Sequence, residues 1–66
     1  MKLAKLKGKI IEEYGTCRAF SQSMGISEST VSLKLSGKVG FSVKEIENWS
    51  KALQIEKKEY GEYYFA

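Results

Sequence analysis

Two glycines, Gly25 and Gly37, punctuate the stretch that most restricts how this chain can fold. From Thr16 to Gly37 it runs TCRAFSQSMGISESTVSLKLSG, which reads as two short helices joined by a tight turn. Thr16 supplies a capping hydroxyl for the first helix, and the apolar Ala19, Phe20 and Met24 share one of its faces. Gly25 tolerates the positive φ that closes a helix, and Ile26 pins the turn into the core. Ser27 caps the second helix, expected over Glu28 to Ser36, in which Val31 and Leu35 point inward at i and i+4 before Gly37 stops it. The opposite face carries Ser29, Ser32, Leu33 and Ser36. Small, mostly polar side chains on a face that burial does not explain mark a place where something docks.

The flanks supply the rest of an all-α bundle of four to five helices. Leu3, Leu6, Ile10 and Tyr14 recur at three and four residues and predict a first amphipathic helix closed by Gly15. Lys2, Lys5 and Lys9 occupy its other faces, either as a solvated surface or as phosphate contacts. Gly8, in its middle, lowers helix propensity by about 1 kcal/mol relative to alanine, which close packing against a neighbour would justify. Beyond Gly37 a short KVGF loop leads to the clearest start signal, the Ser42 to Glu45 capping box, with Phe41 and Ile46 at its staple positions. The helix beginning at Val43 buries a stripe of Ile46, Trp49 and Leu53. A short fifth helix follows Ile55, with Tyr60 and Tyr64 turned inward and Tyr63 and Phe65 left as candidates for a partner subunit. Closure of the core by these same aromatics is the alternative.

Sixty-six residues make a single domain, 1–66, near the lower limit for an apolar core without metal or disulfide. The lone Cys17 excludes an internal disulfide, and with no histidine in the chain neither a zinc finger nor any other metal or cofactor site is expected. No apolar run approaches the roughly 20 residues that span a bilayer, so a soluble protein of a reducing cytoplasm is expected. The net charge of +3 is unevenly spread: residues 1–44 hold eight Lys or Arg against three Glu, and residues 45–66 hold three Lys against five Glu. A basic front with an acidic back suits a phosphate-bearing partner. Enzymatic chemistry is poorly served, because the chain has no histidine or aspartate and Cys17 has Arg18 beside it but no base.

The segment GISESTVSLKLSGK, preceded by LKGKIIEEYGT and followed by LQIEKKEYGEYYF, resembles the helix-turn-helix domains of phage repressors and Cro proteins. It more closely resembles a group of small repressor-like proteins of phages from Gram-positive bacteria. The resemblance spans nearly the whole chain, and Gly25, Val31 and the Ser36-Gly37-Lys38 exit carry it. Three positions depart from the broad pattern. Cys17 stands where a phosphate-binding glutamine is usual, Ser21 where alanine is usual, and Lys34 where an apolar residue is usual. The last leaves open whether the second helix is rotated or ends differently.

The resemblance implies a sequence-specific regulator of the repressor or Cro type that inserts helix 28–36 into the major groove of double-stranded DNA. Glu28, Ser29, Ser32 and Leu33 are then the base readers, with Glu28 accepting from cytosine N4 and Leu33 meeting a thymine methyl. Thr16, Arg18, Lys34, Ser36 and Lys38 are the expected backbone contacts. A pseudo-palindromic operator bound by a homodimer, joined through Tyr63 and Phe65 in a tail spanning 56–66, completes the expectation. Neither a membrane nor a small-molecule substrate enters it, and the bacterial nucleoid is its place. The rival from another class is a protein-interaction module, an antitoxin or anti-repressor, that uses the aromatic tail.

Overall fold

The computed structural model of the chain describes residues 3–65. Within them lie α1 (Ala4–Tyr14), α2 (Cys17–Met24), α3 (Glu28–Ser36), α4 (Val43–Leu53), a 3-10 turn (Lys57–Glu59) and α5 (Tyr60–Tyr64), with no strand among them. Three helices begin at hydroxyl caps. Thr16 Oγ1 accepts from the Ala19 N–H at 3.0 Å, Ser27 Oγ from Thr30 at 3.1 Å, and Ser42 Oγ from Glu45 at 3.1 Å. Glu45 returns the last bond by accepting from the Ser42 N–H at 2.8 Å, which completes the capping box. Each such cap satisfies an otherwise orphaned donor and is worth about 1 kcal/mol.

The turn between α2 and α3 forms as the glycine requires. Gly25 sits at φ 71°, and the Ile26 N–H reaches back to the Ser21 carbonyl at 3.0 Å, the six-to-one bond of a Schellman closure. Gly37 ends α3 in the same left-handed region. Ile26 then packs against the core, as its position in the turn suggests.

The core draws on every helix. Leu6 and Ile10 of α1, Phe20 of α2, Val31 and Leu35 of α3 and Leu53 of α4 are fully buried, and Ile46, Trp49 and Ile55 close around them. A run of edge-to-face rings, Tyr14, Phe20, Trp49, Phe41, Tyr64 and Tyr60, threads this core with centroids 4.9 to 5.8 Å apart. Buried hydroxyls are partnered: Ser50 Oγ and the Tyr64 hydroxyl lie 2.8 Å apart, and Ser21 Oγ donates to the Arg18 carbonyl at 2.8 Å. Burial pushes the Tyr64 hydroxyl up to about 12, with the Ser50 bond opposing it.

Two expectations change. A Cβ on Gly8 would meet nothing within 4 Å, so close packing is not what places glycine there. Tyr63 is not a free interface residue, since it is only 8% exposed. The reason is the crossing of α1 over α5, which puts Lys5 Nζ 5.1 Å from the centre of the Tyr63 ring while the same ammonium pairs with Glu62. Phe65, at 69% exposed, stays outside. No described helix is long and apolar enough to cross a membrane.

Candidate nucleic-acid interface

The inner side of α3 is committed to the core, through Val31 and Leu35, and both ends of the helix are tied down. Ser27 caps its start. At its finish the Leu3 N–H donates to the Leu35 carbonyl at 3.0 Å, Ser36 Oγ donates to the Leu33 carbonyl at 2.7 Å, and the Gly37 N–H donates to the Lys34 carbonyl at 3.2 Å. Such anchoring fixes how the helix is turned about its own axis. Consequently Glu28, Ser29, Ser32 and Leu33 share the outer side, all exposed, and together line one shallow, open depression.

None of the side-chain hydrogen bonds or ion pairs among the described residues engages Glu28, Ser29 or Ser32. Leu33 is 47% exposed. This side therefore offers one carboxylate acceptor, two hydroxyls that donate or accept, and one branched apolar group. The four residues expected to read bases are brought together.

The residues expected to grip a backbone fare differently from one another. Arg18, in the first turn of α2, and Lys38, just past α3, are exposed and pair with no acidic residue among those described. Thr16 is exposed too; its oxygen caps α2, and its hydroxyl proton remains available. Ser36 has spent its single proton on the Leu33 carbonyl, and its oxygen accepts from the Lys38 N–H at 3.3 Å, so it holds the loop rather than offering a donor outward.

Lys34 does not belong to the exposed set. Its side chain is 9% exposed, and Nζ donates to the Gly40 carbonyl at 2.8 Å and lies 3.0 and 2.9 Å from the two Glu45 carboxylate oxygens, 5.4 Å from the centre of the Phe41 ring. Helical spacing explains it. Position 34 lies three residues after the buried Val31, so the lysine stem follows the core and carries the ammonium to the loop beyond α3. The helix is neither rotated nor displaced at its end, since Leu35 remains inward and Gly37 terminates it.

Glu45, which the sequence marks only as the capping-box acid, is also the partner of Lys34. Its carboxyl is held below the ordinary value of 4.5, first by the Ser42 backbone N–H and then by Lys34. A charged residue at an otherwise apolar helix position, with a capping glutamate eleven residues on, was the available signal. Lys44, exposed at the start of α4 and without an acidic partner among the described residues, is a further cation beside this loop.

Two lysines of α1 are engaged by acids. Lys9 pairs with Glu12 at 3.1 Å and Glu13 at 3.7 Å, and Lys5 pairs with Glu62. Lys2 lies outside the described residues. Cys17 is half-buried against the core.

No curated protein matches the chain. One family does match, along residues 1–66, and on that full-length correspondence the chain belongs to the family described as Protein of unknown function (DUF739).

Proposed function

We propose that this protein is a sequence-specific double-stranded DNA-binding regulator of the phage repressor or Cro kind, with α3 as the helix that enters the major groove. One observation carries the reading. The outer side of α3 is exposed and uncommitted to any side-chain partner among the described residues, on a helix whose inner side and both ends are fixed. A groove of B-DNA accepts such a helix, and short side chains let its backbone approach the base edges. Glu28, Ser29, Ser32 and Leu33 are the readers in this account. Arg18, Thr16 and Lys38 hold the phosphate backbone on either side.

One short helix touches few base pairs, so specificity calls for two copies on a roughly palindromic site, about 34 Å apart along one side of the duplex. Phe65, exposed at the end of α5, is the side chain we assign to the contact between copies. Action on a prophage or phage operator in the bacterial cytoplasm follows from the same reading.

Selection of binding sites from a randomised duplex pool tests it. Enrichment of a two-fold symmetric site, with affinity that falls steeply as salt rises, is the expected result. Absence of any enriched duplex would sink the reading and favour a protein partner for the same surface. Sedimentation on the selected duplex then tests the dimer: two copies per site are expected, and a one-to-one complex at saturating protein would remove it.

A further inference from the structure

The ammonium of Lys34 is surrounded by acceptors: the Gly40 carbonyl and both oxygens of Glu45. An ammonium has three donors, so little of its bonding capacity is left for a phosphate. A buried ion pair of this kind seldom adds net stability, because an apolar residue of similar size often serves a core as well or better. What an ammonium adds is direction. It fixes the path of a loop by bonding one named carbonyl, which an apolar contact does not do.

The loop in question runs from Gly37 to Ser42. At its start it is fixed by the Gly37 cap on α3 and by Ser36 Oγ, which accepts from the Lys38 N–H. At Gly40 it is fixed by Lys34, and at Ser42 by the Glu45 carboxylate that the same lysine engages. Lys38 lies between these anchors, exposed and facing no acidic partner among the described residues.

We propose that Lys34 is a positioning residue for DNA-backbone binding: its buried ammonium, shared between Gly40 and Glu45, holds the loop after α3 so that Lys38 is presented to a phosphate. The inference rests on the DNA-binding reading above and deepens it. It assigns Lys34 a role at one remove from the nucleic acid, and it makes Glu45, an acid, favourable to binding a polyanion.

That last consequence gives the test its discriminating power. Lys34→Met removes the ammonium and keeps the stem, while Glu45→Gln removes the anion and keeps an acceptor for the capping box. The two change net charge in opposite directions. Each is made alone and combined with Lys38→Ala, and affinity for the selected duplex is measured at 50 and 200 mM salt, below the unfolding midpoint of every variant.

One phosphate contact contributes about threefold to the affinity lost across that salt range. Lys38→Ala is expected to remove that threefold. Lys34→Met and Glu45→Gln are each expected to remove up to the same threefold, to leave the selected sequence unchanged, and to have no further effect when Lys38 is already alanine. In the free protein, the amides of Lys38 to Phe41 should exchange faster with solvent in both variants.

Opposite effects of Lys34→Met and Glu45→Gln would reveal net charge alone at work and overturn the inference, as would no effect of either variant on the salt-dependent loss, or effects that persist in the Lys38→Ala background. Wild-type protein that binds no duplex in a salt-sensitive way overturns the DNA reading itself, and with it the inference, before any variant is compared.

Discussion

The third and fourth helices begin alike and end up serving different ends. Both are capped by serine, and both bury a stripe against the same core. Yet beyond the exposed Val43 of its first turn, the outer side of α4 carries Lys44, Glu47, Asn48 and Lys51, charged or amide groups that keep a helix in water. The outer side of α3 carries two serines, a leucine and a single glutamate. Solvation does not call for serine or leucine there, and serine is a poorer helix former than lysine or glutamate. The contrast is why the proposed DNA reading rests on α3 and not on α4: the α3 face is composed against helix propensity, and its orientation is fixed at both ends.

The largest effect belongs to the inner side of α4. Trp49 is 3% exposed and meets Phe20 and Phe41 edge to face. Trp49→Ala should cost about 3 to 5 kcal/mol and leave little cooperative unfolding in a thermal melt followed by circular dichroism. An unchanged melt would place Trp49 at the surface and erase the distinction between the two sides of α4.

Next comes the buried pair between α4 and α5. Tyr64→Phe leaves the Ser50 hydroxyl without its partner, at a cost of about 1 to 3 kcal/mol. Because the folded-state value of Tyr64 is raised from 10.0 to about 12, its contribution to stability is whole below pH 10 and disappears as pH rises through 12. Chemical denaturation of wild type between those limits should show this loss, and Tyr64→Phe should show less of it. Equal alkaline losses in the two proteins would assign the titration elsewhere.

The outer side of α3 should behave in the opposite manner. Glu28→Ala and Leu33→Ala are expected to shift stability by no more than about 0.5 kcal/mol, while each relaxes discrimination at one base pair by about 1 to 3 kcal/mol. The smallest effect sharpens the contrast most. Ser32→Ala should stabilise the fold by about 0.5 kcal/mol through helix propensity and yet weaken base preference. Gly8→Ala, on the open side of α1, should stabilise by up to about 1 kcal/mol and leave DNA binding alone. A Ser32→Ala variant that gains stability and keeps its full preference would make α3 another solvated helix.

Much of this fold was legible before any coordinates, and for identifiable reasons. Caps at Thr16, Ser27 and Ser42 and glycines at 25 and 37 are local signals, so the bounds of α3 fall where spacing places them. The outward placement of Glu28, Ser29, Ser32 and Leu33 was legible as well, since Val31 and Leu35 fix which side is inward. What spacing could not supply was contact between distant residues. Lys34 and Glu45 are eleven apart, and Lys5 and Glu62 fifty-seven. Both pairs depend on how the helices cross, and both change a reading: Lys34 leaves the exposed set, and Tyr63 passes under α1. Gly8 differs for another reason: low helix propensity does not by itself imply close packing, and open space faces this position.

The claim at the centre of this account is that the outer side of α3 reads bases. Parallel site selections with wild type, Glu28→Ala and Leu33→Ala test it most directly. Wild type should enrich one two-fold symmetric site, with each variant relaxing its own symmetry-related pair of positions while the rest of the site is retained. Identical selected sites from all three proteins would contradict it.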